Sequence, residues 1–487
     1  MDSNNVRLLA SPQPFLVFIK RHHLAIILIA VFLKQLVLVW IVPPWQVPDE
    51  PAHFQYVQTI VEQGVWPIFT TGWTTYSREL IDSYNVMSKK YHGRVEIFNR
   101  TITYATPANI SRRWAAATTP HNVAALYGPP YYLYEAIPYL AFAQADIDTR
   151  LYAMRAWSSL LFLALVWVAY RIGRLVRSGA GFAAVLAILI GFQPMVSYIS
   201  VGINNDTLVY LLGGLLFGAL VAVKPPATPR TAVFLGLLAG LATLTKQSGW
   251  IFIVAVGIVL WRLARHQGQT LSQRLRLPLL ATMIGGAVGT LWSVMNYLTG
   301  GGDFVGGTGL QKLPNTLPPT FINVLATDIV DRSRLVFERF WGSYGWSGAI
   351  MEHASTFYLA LAVLCFMSVV GLVLGRWLWR HEEERPFLFQ RSLWIGTGLF
   401  VLLDVFLRSL YWQRALKYHS YSFPAQGRYY FVLIIPLAII FLHGLEGLVD
   451  RRWRRLVWAI MAIGMILLSV QSMVMMSHWF DLSQPVQ

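Results

Sequence analysis

Charged side chains and cysteine are both scarce in this sequence. Asp, Glu, Lys and Arg make up 13% of its 487 residues, whereas a soluble domain carries roughly a quarter. This shortage excludes an ordinary soluble fold. The single cysteine, Cys365, lies inside an apolar run, so an internal disulfide is excluded and nothing follows about the redox compartment.

Apolar residues make up most of the sequence instead. Hydrophobic types make up 55% of the chain and the mean hydropathy is +0.50. Apolar runs of about 18 to 22 residues recur from end to end, which is the length that crosses the hydrocarbon core of a bilayer. The sequence therefore predicts an all-α, polytopic transmembrane bundle that forms one domain over residues 1–487. The eleven predicted helices lie at about 23–43, 151–172, 180–200, 206–223, 231–246, 249–264, 277–298, 355–375, 392–411, 428–446 and 456–477.

Basic residues occur mainly in alternate loops between these helices. Because cytoplasmic loops are enriched in Lys and Arg, the alternation predicts a cytoplasmic N-terminus and an external C-terminus. The net charge of +16 is thus explained by topology, and we expect no nucleic-acid partner. The basic clusters are Lys20/Arg21, Arg171/Arg174/Arg177, Lys224/Arg230, Arg262/Arg265/Arg274/Arg276, Arg376/Arg380/Arg385/Arg391 and Arg451/Arg452/Arg454/Arg455.

Two segments on the predicted outer face are too long to be simple connections. They span residues 44–150 and 299–354, and long loops are usually functional or disordered. Their Trp and Tyr content favours ordered segments that lie against the membrane interface. The first is predicted to be a long structured loop.

The first outer loop begins with "WIVPPWQVPDEPAHFQYVQ", which places two acids and an imidazole at the end of an apolar run. The prolines predict a short helix that begins near Asp49. On that helix Asp49, Glu50 and His53 share one side. The alternative is that Asp49 only caps the helix and Glu50 only complements its dipole. Ionisable groups at membrane depth are costly and usually functional, which favours a catalytic role for all three residues.

Several cations on the same predicted side are candidate partners. Each could instead be an interfacial anchor whose head reaches the lipid headgroups. A planar guanidinium suits phosphate because it offers several donors in a fork, and Gly427 lets backbone approach closely. The predicted phosphate-binding residues are Arg428, Lys246, Arg155, Gln426 and Tyr429.

Further polar and aromatic residues have simple structural explanations. Asn205 and Asp206 can cap a helix, and Trp341, Tyr344 and Trp346 can be interfacial anchors. Asp404 and Arg408, four residues apart, are predicted to neutralise each other, and Lys34 has no obvious partner.

A metal requirement is left open. Glu50-x-x-His53 resembles half of a helix-borne di-metal site, but the second half is missing. A single divalent cation, Mg²⁺ or Mn²⁺, held by Asp49 or Glu50 with a substrate phosphate, remains an alternative. "GGGDFVGGTG" lacks the Gly-Lys-Ser/Thr ending of a P-loop, so no nucleotide site is predicted there.

An ordered series of motifs resembles the GT-C superfamily of membrane glycosyltransferases. It is most similar to a bacterial branch described as a predicted membrane domain of unknown function. Tyr131 and Tyr344 stand where that branch has leucine and phenylalanine, and neither change removes a charge. The motifs are "PPWQVPDEPAHF" at 43–54, "GPPYYL" at 128–133, "NND" at 204–206, "TKQ" at 245–247, "FWGSYGW" at 340–346 and "QGRYYFVLIIP" at 426–436.

This resemblance implies an inverting glycosyltransferase of the bacterial cytoplasmic membrane. It implies a polyprenyl-phosphate sugar as donor and an acid in the first outer loop, here Asp49, as catalytic base. The acceptor, a hydroxyl of a glycan, lipid or protein, is not specified. On this resemblance, the residues predicted to contact sugar or acceptor are Trp341, Tyr344, Trp346, Asn205, Asp206 and Tyr131. Two alternatives stay open: a flippase for a lipid-linked sugar, and a polymerase or ligase that uses a lipid diphosphate donor.

Overall fold

The computed structural model describes residues 14–69, 76–90, 122–265, 270–300, 320–344, 349–350, 354–378, 387–418 and 426–480. These residues are mainly helical, which confirms the all-α prediction; two short strands, Ser343–Tyr344 (β1) and Ala349–Ile350 (β2), pair antiparallel. The helices are α1 (Pro14–Ile41), α2 (Glu50–Gln58), α3 (Arg78–Lys90), α4 (Pro130–Ala141), α5 (Ile147–Val176), α6 (Ala180–Gly191), α7 (Pro194–Val201), α8 (Asp206–Ala222), α9 (Pro229–Thr245), α10 (Trp250–Arg265), α11 (Leu271–Gly300), α12 (Phe321–Thr327), α13 (Ser333–Trp341), α14 (Ala354–Leu378), α15 (Phe387–Tyr418), α16 (Ile434–Glu446) and α17 (Arg454–Trp479).

The long helices match the predicted spans in order. Among the described residues, eight helices are long and apolar enough to cross a membrane, and the bent pair α6 and α7 makes nine. Two more apolar helices, α8 and α9, are shorter. Every predicted span coincides with one of these elements, while the count of eleven membrane crossings stays a prediction.

The predicted helix over 180–200 is broken in two. The axes of α6 and α7 meet at 58°, because Pro194 has no N–H to continue the helical hydrogen bonds. Gln193 caps α7 by accepting a hydrogen bond from the backbone N–H of Val196. Lys34, which lacked a partner in the sequence, donates to the carbonyl oxygen of Gly191 and to Ser197 Oγ, each at 2.5 Å. Its ammonium therefore lies at the negative end of α6.

A second departure occurs where a uniform helix is predicted over 428–446. Residues Gly427–Leu433 form a 3₁₀ helix, and α16 begins only after it. The 3₁₀ helix packs tightly against its neighbours: a Cβ on Gly213 of α8 would lie 2.3 Å from the Val432 carbonyl oxygen, and one on Gly427 would lie 2.3 Å from the Phe340 nitrogen. Only glycine allows these approaches.

The described part of the first long loop is ordered, as predicted. Its helices α2, α3 and α4 pack on one another and on α5 around a second core, separate from that of the bundle. Aromatic side chains dominate this core, and the rings of Tyr56 and Tyr132 stack with their centroids 3.6 Å apart. The aromatic core fixes the first helical turn of α2, which follows Asp49.

Candidate active site

Asp49 lies in the turn between α1 and α2 and points away from the helix that follows it. Its backbone is left-handed, with φ at 65°, and its side chain makes no capping hydrogen bond. The carboxylate Oδ2 instead accepts a hydrogen bond from Arg428 Nη2 at 2.6 Å. The Asp49 side chain is 32% exposed. This geometry argues against helix capping as its role.

Arg428 belongs to a row of alternating charges. Its Nη1 lies 3.7 Å from Asp206 Oδ2, and the other oxygen of Asp206 lies 2.5 Å from Lys246 Nζ. Among the described residues, Arg428 Nε and Nη1 have no hydrogen-bond partner although the residue is only 5% exposed. The structure thus brings Asp49, Arg428, Asp206 and Lys246 together from four distant parts of the chain.

Two tyrosine rings flank the cations. Lys246 Nζ lies 5.5 Å from the ring centroid of Tyr127 and 5.6 Å from that of Tyr429. The Arg428 guanidinium carbon lies 5.7 Å from the Tyr429 centroid, and such distances are typical of cation–π contacts. Tyr429 was predicted at the site and Tyr127 was not. The density of tyrosine in "YGPPYYLY" was the only signal in the sequence for Tyr127.

The charges around Asp49 determine the protonation state of its carboxyl group. Burial by itself would raise the pKa of Asp49, but the Arg428 guanidinium and other nearby positive charge outweigh it and hold that pKa below its ordinary value. Burial lowers the pKa of His53 to about 3, against the opposing effect of the Asp49 charge. At neutral pH the site therefore holds an ionised Asp49 beside an uncharged His53, whose Nδ1 lies 2.9 Å from the Tyr132 hydroxyl.

Glu50 and Arg155, both predicted at the site, bind each other behind it. Arg155 Nε and Nη2 donate to the two Glu50 oxygens at 2.7 and 2.6 Å, and both side chains are fully buried. Arg155 also donates to the carbonyl oxygens of Val42 and Pro43. The pair ties the end of α1 to α5. Removing one partner would leave the other charge buried, at a cost of about 3–5 kcal/mol.

The "NND" motif, residues 204–206, joins neighbouring segments through hydrogen bonds of its side-chain amides and backbone. Asn204 Nδ2 donates to the Pro48 carbonyl oxygen at 3.0 Å, next to Asp49, and its Oδ1 accepts from the Asp206 N–H at 2.9 Å. Asn205 Nδ2 donates to the carbonyl oxygen of Thr245, which precedes Lys246. Asn204, which the sequence did not single out for a site role, therefore connects the turn that carries Asp49 to Asp206.

Tyr131 lies in the wall beside this motif. Its hydroxyl accepts from the Asn204 N–H at 2.8 Å and lies 2.9 Å from Ser158 Oγ. Both ring and hydroxyl are fully buried. In this conformation Tyr131 supports the loop rather than presenting a surface to sugar or acceptor.

The structure describes the surroundings of three further predicted residues, Trp341, Tyr344 and Gln426. Trp341 packs in a small cluster with Tyr358 and Leu468. Tyr344 is fully buried, edge-on to the Tyr198 ring with centroids 5.1 Å apart. Gln426 precedes the 3₁₀ helix and its side chain makes no capping hydrogen bond. Trp346 lies outside the described residues.

A buried carboxyl close to the site predicts a pH-dependent stability. Glu135 of α4 is fully buried beside the hydroxyls of Tyr131 and Ser158, whose hydrogen bonds lower its pKa by less than burial raises it. Burial raises the pKa of Glu135 to about 8. The folded protein therefore keeps a proton that the unfolded chain loses near pH 4.5. Stability should fall as pH rises from about 4.5 to about 8, by an amount on the order of a few kcal/mol.

We expect the Glu135→Gln variant, which cannot ionise, to abolish most of this slope. Its melting temperature in detergent should exceed that of the unmodified protein at pH 8 and approach it near pH 4.5. The Glu135→Asp variant keeps a titrating carboxyl and should keep the slope. Parallel pH profiles for the Gln variant and the unmodified protein would contradict the assignment.

Among the residues that the structure describes, no group of three or more His, Cys, Asp or Glu side chains is arranged to hold a metal ion. Both Glu50 oxygens are occupied by Arg155 and by backbone N–H groups of Trp45 and Ile203. The alternative of one divalent cation, held by Asp49 or Glu50 with a substrate phosphate, stays a prediction.

Comparison with known protein families gives a match over most of the chain. The family described as "Predicted membrane protein (DUF2142)" matches residues 32–407, most of the chain. This range includes the motifs from "PPWQVPDEPAHF" to "FWGSYGW". The comparison with curated proteins gives no match.

Several solved structures show a similarity to this chain. The oligosaccharyltransferase of Archaeoglobus fulgidus in the apo form is 13% identical, with a TM-score of 0.45 over 94% of this chain and 56% of that chain. The same protein, AglB, in complex with an inhibitory peptide and a dolichol-phosphate has a TM-score of 0.42 at 13% identity, over 93% and 56%. ArnT from Cupriavidus metallidurans bound to undecaprenyl phosphate has a TM-score of 0.37 at 13% identity, over 91% and 78%. The chain thus spans about half the length of the oligosaccharyltransferase chains.

Proposed function

Since the chain belongs to the DUF2142 family of predicted membrane proteins and carries paired charges at an accessible site, we propose that it is a membrane glycosyltransferase. It transfers a sugar from a polyprenyl-phosphate donor to an acceptor hydroxyl of a glycan, lipid or protein, with inversion at the anomeric carbon. The observation that carries the proposal is the contact between a partly exposed carboxylate, Asp49, and a guanidinium with unused donors, Arg428.

The two cations stabilise the leaving group. As the bond between the anomeric carbon and the phosphate oxygen breaks, the electron pair stays on the phosphate, whose negative charge grows. Arg428 and Lys246 stabilise that charge, and fixed cations act most strongly in a site that largely excludes water. Asp206 holds Lys246 in position at 2.5 Å. Phosphate leaves without needing a proton, so no general acid is required.

Asp49 acts as the base toward the acceptor hydroxyl. The acceptor oxygen forms a new bond to the anomeric carbon and gives its proton to the Asp49 carboxylate. The same negative charge offsets the positive charge that develops on the sugar ring. His53, uncharged beside Asp49, leaves the carboxylate as the base at neutral pH. A divalent cation between Asp49 and the donor phosphate stays a prediction.

Donor binding raises the basicity of the Asp49 carboxylate. Asp49 and Arg428 contact each other in the described conformation, and a base whose pKa is held low accepts protons weakly. A phosphate that draws the guanidinium to itself removes the main charge that lowers the pKa of Asp49. The carboxylate therefore becomes a better base only when the donor is in place.

The site is proposed to face outward from the bacterial cytoplasmic membrane. The alternation of basic loops predicts that the α1–α2 turn lies on the external side. Nucleotide sugars are confined to the cytosol, so an external site needs a donor that has already crossed the membrane on a lipid. A polyprenyl-phosphate sugar meets this requirement.

A transfer assay with purified full-length protein tests the proposal. We expect detergent-solubilised protein, given a radiolabelled polyprenyl-phosphate sugar and a membrane-lipid extract as acceptor source, to move label into a new product. Free polyprenyl phosphate should appear in equal amount. A flippase needs two compartments and would form no product, while activity with a lipid diphosphate donor alone would assign the protein to the polymerase or ligase class.

A further inference from the structure

The connection between α7 and α8, residues 202–205, is bonded to both sides of the candidate site. Two adjacent asparagines in it, Asn204 and Asn205, are fully buried. Burying a polar amide is costly unless its hydrogen bonds are made inside the protein. The partners of the two amides therefore indicate what the connection does.

Asn204 holds the turn that carries Asp49. Its Nδ2 donates to the carbonyl oxygen of Pro48 at 3.0 Å, one residue before Asp49. Its Oδ1 accepts from the N–H of Asp206 at 2.9 Å, and its own N–H donates to the Tyr131 hydroxyl at 2.8 Å. Asn204 is thus fixed on two sides. Through Pro48 it holds in place the left-handed backbone from which the carboxylate extends.

Asn205 holds the end of α9, next to Lys246. It lies just before the first residue of α8, yet its side chain makes no capping hydrogen bond there. Its Nδ2 donates instead to the carbonyl oxygen of Thr245 at 2.7 Å, one of the last carbonyls of α9, which have no partner within the helix. The following residue, Lys246, directs its ammonium to Asp206 at 2.5 Å. The amide of Asn205 therefore fixes the backbone from which this cation extends.

The two amides act on different partners in the proposed reaction. Asp49 is the proposed base toward the acceptor, whereas Lys246 is one of the cations proposed to bind the donor phosphate. A displacement of about 1 Å at a reacting group can cost about 10²-fold in rate. A hydrogen bond that fixes the backbone beside such a group therefore contributes to catalysis without any contact with substrate.

We propose that Asn204 and Asn205 are two separate positioning residues: Asn204 positions the base, and Asn205 positions the cation on the donor side. The inference rests on the proposed transferase function and assigns to it two residues that act through their neighbours. The α7–α8 connection thereby fixes the distance between the carboxylate that receives the proton and the ammonium that faces the phosphate.

The same substitution at both positions tests this division of roles. Serine can keep the bond that Asn204 makes to the N–H two residues later, and it is favoured at the position before a helix that Asn205 occupies. Its side chain is too short to reach Pro48 or Thr245. Asn204→Ser and Asn205→Ser therefore each lose one amide bond and keep the local backbone.

Two measurements on the full-length protein in detergent separate the roles. The first is the single-turnover rate of transfer at saturating donor. The second is equilibrium binding of tritiated farnesyl phosphate, a short analogue of the polyprenyl phosphate that leaves. Asn204→Ser should slow transfer about 10- to 10²-fold and change the dissociation constant of farnesyl phosphate by less than about twofold. Asn205→Ser should raise that dissociation constant about tenfold, because a displaced ammonium loses part of a charged hydrogen bond.

Asn296→Ser is the matched control. Asn296 of α11 is also buried and also joins two segments, since its Nδ2 donates to the Ala125 carbonyl oxygen at 3.0 Å and its Oδ1 accepts from the Phe69 N–H at 2.9 Å. Neither partner carries a proposed reacting group. This variant should therefore change neither the transfer rate nor farnesyl phosphate binding by more than about twofold.

Tyr131→Phe tests the same bond network if Asn204→Ser does not fold. It keeps the buried ring and removes the hydroxyl that accepts from the Asn204 N–H, so transfer should slow about fivefold while farnesyl phosphate binding stays normal.

Normal transfer or weakened farnesyl phosphate binding in Asn204→Ser, or normal binding in Asn205→Ser, would overturn the proposal. Absence of product from the unmodified protein would instead contradict the proposed function, and the binding comparison of the two variants would still decide whether Asn205 positions the cation.

Discussion

The Asp49→Asn variant is expected to lose transfer by about 10²- to 10⁴-fold, the range that a general base contributes. Asparagine tolerates the left-handed backbone that position 49 adopts, with φ at 65°. The substitution therefore removes the base and the ion pair with Arg428 while it keeps the turn. Single-turnover rates with saturating donor measure the effect on the chemical step.

The control for Asp49→Asn is Asp450→Asn. Asp450 is a surface carboxylate at the opposite end of the bundle, beside Arg452, and its variant should react at the normal rate. Both proteins should elute from size-exclusion chromatography as the unmodified protein does. Near-normal turnover by Asp49→Asn would exclude Asp49 from the reaction.

The Arg428→Ala variant is expected to lose about 10²- to 10³-fold in kcat/KM for the donor, as when one charge-stabilising donor is removed from an active site. The apparent KM of the acceptor should change much less. Arg428→Lys restores a charge without the planar fork and should recover only part of the activity. Arg452→Ala, at an exposed position of the short 3₁₀ helix Arg451–Trp453, is the matched control.

The pH profile of Arg428→Ala separates a role in the site from a role in folding. Arg428 is the main charge that holds the pKa of Asp49 below its ordinary value of 3.8, against burial, which raises it. Without the guanidinium, burial dominates and the pKa rises. Because a general base works only when deprotonated, the acidic limb of kcat/KM should move to higher pH. An equal loss for donor and acceptor with an unshifted limb would place Arg428 in the scaffold.

Most of the fold follows from apolar run length, and the exceptions have local causes. The runs predict each long helix to within a few residues at most ends. The break at Pro194 is hidden because the residues on both sides are apolar, and hydropathy does not register a missing N–H. The 3₁₀ helix over Gly427–Leu433 is hidden for a related reason: its geometry depends on close packing against α8 and α13, which no local pattern records.

The sequence allowed the residues of the candidate site to be predicted, but not which of them contact each other. Asp49, Arg428 and Lys246 carry charge at helix ends, and this property is visible in the sequence. The sequence could not test the prediction that Arg155 binds phosphate, because its partner Glu50 lies 105 positions away. Helical spacing placed Glu50 and Asp49 on one side, whereas the left-handed turn at Asp49 directs the two carboxylates to different cations.

The contact between Asp49 and Arg428 joins residues 379 positions apart, and this separation has a consequence for biosynthesis. The ribosome has made most of the chain before the guanidinium that neutralises Asp49 exists. During that interval the carboxylate has no Arg428 to pair with, so the nascent chain carries an uncompensated acid beside the bilayer. Any product that stops before Gly427 would keep the early helices yet lack the Arg428 side of the candidate site. Assembly of the candidate site is therefore one of the last events in the making of this protein.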